Sequence, residues 1–421
     1  MKGTFTSILP FVSALIFLFV GVDELPRRGR VYDAVTLRPI EGAFVTLGDA
    51  VARTETNGGF QMRGSGTRIG ARAFGYQRTW IDLTQPQDGL NDVALRTFTP
   101  KALYLSFYGV GDFALRESAL RLIESTELNA VVIDVKGDRG RIPYKSAVPL
   151  SAQVGAQSTL TIKDIEGLLK SLRGKGIYTI ARIVVFKDNP LASAKPDWAV
   201  KLPGGAIWHD REDLAWTDPF NEQVWEYNLA VAEEAARYGF DEIQFDYVRF
   251  PDARGLVYSM PNTMENRVRA VSDFLRSARR KLVPYNVFVA ADIFGYVCWN
   301  LDDTGIGQRL DQLAPYLDYL SPMLYPSGFH VGIPGIRDPV AHPYEIVYRS
   351  LARAKERTGL PGVRFRPWLQ AFRDYAFDHR PFTGKEIGLQ IKAATDFGSN
   401  GWMLWNPSNV YSPDGLSVAI N

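Results

Sequence analysis

Three aspartates lie near the ends of short apolar runs, at Asp134, Asp246 and Asp292. Burying an unpaired carboxylate is costly, so each of these side chains is expected to be hydrogen-bonded or functional. Two carboxyl groups that flank a glycosidic bond can hydrolyse it. One protonates the leaving oxygen, while the other attacks the anomeric carbon or activates a water molecule. The three aspartates are therefore candidate catalytic residues for carbohydrate chemistry.

The surroundings of each aspartate suggest a role. Asp246 is the first candidate for the group that attacks or activates water, because Arg249 nearby would keep it ionised, although a structural Asp–Arg pair is the alternative. Asp292 stands in apolar company, which raises a carboxyl pKa as a general acid requires. Asp134 is expected to pair with Lys136, two residues on and on the same face of its strand. Asp134 is therefore assigned to electrostatics or substrate binding. Which of Asp292 and Asp134 is the general acid is left open.

Polar and aromatic side chains near the same predicted strand ends are candidates for substrate binding. Aromatic rings stack on sugar rings, and polar groups bind hydroxyls. Arg182 has the alternative of merely pairing with a carboxylate, and the tryptophans have the alternative of filling the core. The three tryptophans of the long segment 187–218 are expected to extend the cleft. The candidates are Lys136, Arg182, Tyr247, Arg249, Tyr325, Trp368, Gln370, Trp402 and Trp405.

Eight apolar runs after residue 100 could position these side chains. Helix-like stretches at 117–127, 162–173, 221–238, 265–282, 306–317, 343–358 and 385–397 separate most of them. This alternation predicts an α/β fold, a (β/α)₈ TIM barrel, in which reacting groups lie at the C-terminal ends of the strands. Only residues 407–421 follow the last run, so the eighth helix is short or missing. The runs cover residues 102–108, 130–136, 178–186, 242–249, 288–294, 319–325, 365–372 and 401–406.

Residues 27–97 differ from the rest, since short alternating runs are separated there by glycine-rich turns. This pattern predicts a small all-β sandwich. The motifs Gly29-Arg-Val-Tyr-Asp33 and Thr54-Glu-Thr-Asn-Gly-Gly-Phe60 resemble the carboxypeptidase-regulatory-like, transthyretin-like sandwich. That resemblance implies a spacer or binding module without catalysis, expected to fold independently. The sequence thus predicts a segment 1–26, a sandwich 27–97 and a barrel 98–421.

The N-terminal segment has nineteen uncharged residues from Thr4 to Val22. Such a run predicts a signal peptide or a membrane anchor, with a buried core helix as the alternative. The stretch 19–22, Phe-Val-Gly-Val, fits poorly the small residues that a cleavage site needs at positions −3 and −1, which favours an uncleaved anchor. The protein is therefore expected to be exported, anchored in a membrane or free in the periplasm or outside the cell. Membrane contact is expected through this segment only.

The overall composition argues against several other classes of function. The 48 basic and 46 acidic residues nearly cancel, which does not favour nucleic-acid binding. The four histidines lie away from the predicted strand ends, and Cys298 is the only cysteine, so neither a metal nor another cofactor is expected. No nucleophile elbow or phosphate-binding loop is present.

The barrel region resembles a bacterial family of glycosyl hydrolase barrels over about residues 100–412. The most specific motif is Phe245-Asp-Tyr-Val-Arg-Phe-Pro251, supported by Val132-Ile-Asp-Val-Lys136-Gly-Asp138 and Asp292-Ile-Phe-Gly295. The family is similar to the alpha-amylase and alpha-galactosidase clans, whose nucleophilic aspartate also ends the fourth strand. The resemblance implies a glycoside hydrolase, expected here to act on a cell-surface or extracellular polysaccharide. A catalytically inactive glycan-binding barrel and a polysaccharide lyase or transglycosylase are the alternatives.

Overall fold

A computed structural model describes residues 26–83 and 91–419. The run from Thr4 to Val22 lies outside the described residues, so the signal or anchor segment stays a prediction. Within the described residues, no helix is both long enough and apolar enough to cross a membrane.

The N-terminal region forms two small sheets with a shared apolar core that includes Val31, Val45 and Ile69. One sheet has the order β4-β1-β7 and the other β3-β2-β5-β6. This confirms the all-β expectation and adds β7, a short strand that pairs parallel to β1. The strands are β1 (Arg27–Asp33), β2 (Phe44–Leu47), β3 (Ala50–Arg53), β4 (Gly59–Met62), β5 (Arg68–Arg72), β6 (Thr79–Asp82) and β7 (Val93–Leu95).

Eight parallel strands close into a barrel in the order β10-β11-β12-β13-β14-β15-β8-β9. Each of the eight predicted runs overlaps one of them, so the TIM-barrel prediction is confirmed. The strands are β8 (Lys101–Leu105), β9 (Ala130–Lys136), β10 (Tyr178–Val184), β11 (Glu242–Asp246), β12 (Phe288–Phe294), β13 (Tyr319–Met323), β14 (Trp368–Gln370) and β15 (Trp402–Trp405).

Helices surround the barrel, and their ends follow the capping residues. The helix α5, for example, begins after Asn221, whose side chain accepts from a backbone N–H, and ends at the left-handed Gly239. The helix predicted at 306–317 is reduced to α7 and a 3₁₀ turn that contains Pro315. The helices are α1 (Phe113–Ser125), α2 (Pro149–Gln153), α3 (Ile165–Gly174), α4 (Asn189–Ala194), α5 (Glu222–Tyr238), α6 (Met264–Leu282), α7 (Leu310–Leu313), α8 (Pro343–Thr358) and α9 (Gly384–Phe397).

Strand alternation divides the barrel into an outer and an inner apolar layer. On β9, Val131 and Ile133 pack with the outer layer under the helices, whereas Val132 packs inside the barrel. Asp134 therefore belongs to the inner face. The pairing of β9 with β10 then shifts by one residue beyond Asp134. Because of this shift, Lys136 does not share the inner face with Asp134, as simple alternation would predict.

The sandwich packs on the N-terminal end of the barrel. Arg72 of β5 is fully buried there, with Nη1 3.3 Å from the carbonyl oxygen of Val283 and Nε 3.9 Å from Asp318. Arg78 donates to Asp241 at 2.9 Å. The sandwich therefore contacts the barrel directly through buried polar groups. Its independent folding and its role as a spacer stay predictions.

Candidate active site

The C-terminal end of the barrel is organised around Arg182, which rises from β10 into a group of three carboxylates. Its Nη1 donates to Asp134 Oδ1 at 2.7 Å, and its Nη2 donates to Asp138 Oδ1 at 2.6 Å. Its Nε and Nη2 both donate to Asp246 Oδ2, at 2.9 and 2.6 Å. Burial disfavours the charged guanidinium, but the three carboxylates outweigh it and raise the pKa of Arg182. Arg182 is thus a fixed cation shared by three carboxylates.

Two aromatic rings hold this guanidinium in place. Tyr104 and Trp405 stack with their ring centroids 4.0 Å apart, and Arg182 lies 5.4 and 4.9 Å from them. Trp368 stands nearly perpendicular to both rings. The aromatic group therefore orients Arg182, and Arg182 in turn orients Asp246.

Asp134 is a positioning residue in this structure, because it does not line the cavity described below and both of its oxygens are bound by the protein. Oδ1 accepts from Arg182, and Oδ2 accepts from the Tyr104 hydroxyl at 2.8 Å and from the backbone N–H of Phe107 at 3.0 Å. Burial raises its pKa, although the Arg182 charge opposes that change. The predicted pairing with Lys136 is wrong.

Lys136 instead pairs with Asp188, and both side chains are completely buried. Its ammonium lies 5.3 Å from the ring centroid of Tyr227 on α5, outside the barrel. The register shift after Asp134 explains this placement. Lys136 is therefore removed from the candidate substrate-binding residues by geometry.

A cavity of about 230 Å³ opens beside Arg182. Asp246 and Asp292 both line it, because β11 and β12 are neighbouring strands and each aspartate faces inward near its strand end. The structure thus brings together two of the three candidate catalytic aspartates. The lining residues are Arg182, Asp246, Tyr247, Arg249, Asp292, Phe294, Gly295, Met323, Tyr325, Gly328, Phe329, Trp368, Tyr375 and Trp405.

The two cavity carboxyls have opposite surroundings. Asp246 accepts two hydrogen bonds from Arg182 and one from the backbone N–H of Tyr247, at 2.6 Å. Asp292 accepts a single bond, from Trp368 Nε1 at 2.6 Å, and its Oδ2 has no partner among the described residues. Burial, followed by the negative charge of Asp246, raises the pKa of Asp292 well above its ordinary value. The cavity thus combines a carboxyl group whose pKa is raised with a carboxyl group held by a guanidinium.

Tyr247 and Arg249 follow β11 and also line the cavity. Tyr247 adopts a left-handed conformation with φ of 47°, which turns the chain at the strand end. Arg249 does not pair with Asp246, contrary to expectation, because Arg182 occupies that position. Its guanidinium lies 5.0 Å from the ring centroid of Tyr247 and 5.2 Å from that of Trp216.

The other predicted binding residues separate into two groups. Tyr325, Trp368 and Trp405 line the cavity. Gln370 does not, since its amide is used to hold Ser327: Oε1 accepts from the backbone N–H at 3.1 Å, and Nε2 donates to Oγ at 2.7 Å.

Trp402 does not line the cavity either, because it packs in the outer apolar layer under the helices. Its neighbour Met403 faces the barrel interior, so strand alternation places Trp402 on the opposite face. Trp402 therefore fills the core, which was the alternative to a role in substrate binding.

The comparison with protein families assigns the barrel region. Residues 102–411 match the family model described as "Putative glycosyl hydrolase domain" (DUF4015). The chain belongs to this family. No curated protein matches the chain. The matched domain thus includes all of the site described above. The resemblance of the sandwich to the carboxypeptidase-regulatory-like domain and the similarity of the barrel to the alpha-amylase and alpha-galactosidase clans stay predictions.

Three solved structures are similar to this chain, and the first of them shows the barrel fold. The glycoside hydrolase domain of PgaB (BpsB) from Bordetella bronchiseptica is 14% identical, with 74% of this chain and 95% of that chain covered and a TM-score of 0.51. A hypothetical protein from Ruminiclostridium thermocellum is 38% identical over 45% of this chain and 96% of its own, with a TM-score of 0.41. A class V chitinase from Pseudomonas fluorescens is 12% identical over 74% and 96% of the two chains, with a TM-score of 0.45.

Tyr104, Asp138 and Tyr375 are among the side chains of the candidate site that were not sequence candidates. Tyr104 and Asp138 hold the Arg182 cluster, and Tyr375 lines the cavity with 60% of its surface exposed. Inward alternation on β8 could have indicated Tyr104. Tyr375 lies in an irregular loop after β14, where no periodic pattern indicates which way a side chain faces.

The long segment 187–218 contributes less to the cavity than expected. Among Trp198, Trp208 and Trp216, none lines it. Trp216 instead supports the rim, with its ring 5.6 Å from that of Tyr247 and its Nε1 donating to Asp210 at 2.9 Å. The segment therefore packs against the residues that follow β11 and supports them.

Proposed function

We propose that the protein hydrolyses the glycosidic bonds of a polysaccharide with Asp246 and Asp292. The observation that carries this proposal is the pairing of two carboxyl groups in one cavity with opposite surroundings. Asp246 is held by a cation, and the pKa of Asp292 is raised by burial and by the Asp246 charge. This division matches the needs of a two-carboxylate mechanism.

In the proposed reaction, Asp292 gives its proton to the oxygen of the leaving sugar as the bond to the anomeric carbon breaks. Asp246 supplies the negative charge on the other side, either by attacking the anomeric carbon or by taking a proton from the attacking water. If Asp246 attacks, water then cleaves the covalent intermediate, with its hydroxyl going to the sugar and its proton returning to Asp292. If Asp246 acts as base, the hydroxyl goes to the sugar and the proton goes to Asp246, after which both carboxyl groups recover their starting states by proton exchange with solvent. Arg182 keeps Asp246 oriented throughout, because its remaining bonds to Asp134 and Asp138 do not depend on the substrate.

Aromatic side chains at the cavity mouth support a sugar ligand. Tyr375 stacks on Phe372 with an angle of 10° between their rings, and Phe372 contacts Tyr325 edge to face. An exposed, supported ring offers a flat apolar face, which suits the C–H face of a sugar. These residues extend from the carboxyl pair toward solvent, as binding of a polymer requires.

A panel of bacterial exopolysaccharides and α-glucans tests the proposal, with release of reducing ends as the measurement. The wild type should release them, Asp246→Asn should not, and Asp252→Asn should match the wild type, since Asp252 is an exposed carboxylate six residues further on. Tight binding to a glycan without any product would instead identify a glycan-binding barrel. Unsaturated or transfer products would identify a lyase or a transglycosylase.

We further propose that the protein is exported and acts on a cell-surface or extracellular polysaccharide. The support is the uncharged run from Thr4 to Val22. Fractionation of cells that express the full chain, and of cells that express a chain lacking residues 1–26, tests this. Recovery of both forms in the cytoplasm would contradict it.

A further inference from the structure

Arg249 is a cation of the active-site cavity that lacks a carboxylate partner. No Asp or Glu oxygen of residues 26–83 or 91–419 lies within ion-pair distance of its guanidinium. Its one hydrogen bond to the protein is from Nη1 to the carbonyl oxygen of Phe250, at 3.1 Å. The other cations near the cavity differ in this respect, because Arg182 contacts three carboxylates and Lys187 contacts Asp210 and Glu212.

The guanidinium is also held in position without being neutralised. The rings of Tyr247 and Trp216 lie 5.0 and 5.2 Å away, on a rim supported by the bond from Trp216 to Asp210. Aromatic rings orient an arginine through stacking and cation–π attraction, and they leave its N–H groups available. A stacked guanidinium with vacant donors suits a planar or tetrahedral oxyanion that accepts two hydrogen bonds.

The charges that face the cavity favour an anionic ligand. Asp246 shares Arg182 with Asp134 and Asp138, but those two carboxylates do not line the cavity, and Asp292 carries a raised pKa. Arg249 lines the cavity as a cation that no carboxylate of the described residues contacts. A singly charged group fits better than a dianion, because Asp246 would repel additional negative charge.

We propose that Arg249 selects a sugar unit bearing one negative charge, a carboxylate or a sulfate ester, next to the bond that is cleaved. This inference rests on the proposed function for its reaction but concerns recognition, which can be measured separately. Arg249 would raise substrate affinity by donating charge-assisted hydrogen bonds directly to the anionic group of the sugar.

Binding of trigalacturonate, its methyl ester and a sulfated trisaccharide to the full-length protein tests the inference by calorimetry. The wild type should bind a charged sugar more tightly than the neutral ester, and Arg249→Gln should lose about 10- to 100-fold of that preference. Arg254→Gln is the matched control, since Arg254 is exposed on the same loop and should leave the preference intact. The sulfated probe distinguishes the two anion chemistries.

The outcomes separate this inference from the proposed hydrolysis. Preference for the anion without any turnover would support recognition by Arg249 while contradicting the proposed hydrolysis. An equal loss of charged and neutral binding in Arg249→Gln would overturn the inference, because it would show that Arg249 only balances the Asp134–Asp138–Asp246 cluster. Lack of preference for either anion in the wild type would overturn it as well.

Discussion

The two ends of the barrel contain the same kind of charged group in opposite settings. At the N-terminal end, Arg366 is completely buried, pairs with Glu242 and lies 4.0 Å from the ring centroid of Tyr319. At the C-terminal end, Arg182 pairs with Asp246 and lies 4.9 Å from the ring centroid of Trp405. Both arrangements combine an arginine, a carboxylate of β11 and an aromatic ring.

The difference between the ends is what covers them. The sandwich packs over the N-terminal end through Arg72 and Arg78, and Glu242 lies in the buried interior above it. The C-terminal end opens to the cavity, where Asp292 adds a second carboxyl group. A buried arginine–carboxylate pair is thus not by itself a sign of catalysis: access and a second titratable group make the distinction.

The largest expected effect comes from Asp246→Asn at the open end. Turnover should fall by about 10⁴-fold, or ~5.4 kcal/mol in the barrier, because the charge opposite the leaving group is lost. Stability should change little, since Arg182 keeps Asp134 and Asp138 as partners. Steady-state kinetics and thermal unfolding measure the two quantities. Retained turnover would show that the open end is no more catalytic than the closed one.

Asp292→Asn should have the next largest effect, and one that depends on substrate. Turnover should fall by about 10³-fold on sugars with poor leaving groups and far less on activated aryl glycosides, which need little protonation. The pKa of Asp292 is raised, so wild-type activity should decline as pH rises through that value and the acid loses its proton. The variant should lack this decline. An unchanged pH profile would move the acid role to another residue.

Glu242→Gln, on the same strand but at the closed end, should affect stability rather than rate. The change leaves Arg366 buried without an anionic partner, which costs about 3–5 kcal/mol of unfolding free energy. Turnover below the melting temperature should stay near that of the wild type. Glu226→Gln, at an exposed position of α5, is the control. A selective loss of turnover with unchanged stability would break the contrast between the two ends.

The smallest effect is expected for Arg72→Met at the interface with the sandwich. Two guanidinium nitrogens of Arg72 are buried without a hydrogen-bond partner, and Asp318 keeps Arg279 at 3.1 Å and the backbone N–H of Val289 at 3.0 Å. An apolar side chain of similar length should therefore change unfolding free energy by only about 1 kcal/mol. Denaturant unfolding measures it. A loss of several kcal/mol would mean that the charge itself holds the sandwich in place.

Some of the site was predictable because strand alternation and the barrel pattern are local properties. Asp246 and Asp292 face one cavity because each points inward near the C-terminal end of its strand and the two strands are neighbours in the barrel. By contrast, Lys136 was assigned to the wrong face, since a register shift between β9 and β10 arises from pairing and leaves no mark in the sequence.

The sequence by itself determined the barrel, the all-β region before it and the positions of the two cavity carboxyls, because apolar periodicity decides which face of a strand is buried. Only the tertiary structure decided the partners. In the tertiary structure, Asp246 pairs with Arg182 rather than with Arg249, and Arg249 stacks on aromatic rings without a carboxylate partner among the described residues. The sandwich packs on the N-terminal end of the barrel. Such pairings join residues far apart in the chain. They depend on distances of a few ångströms between side chains, and the pattern of residues along the sequence does not contain those distances.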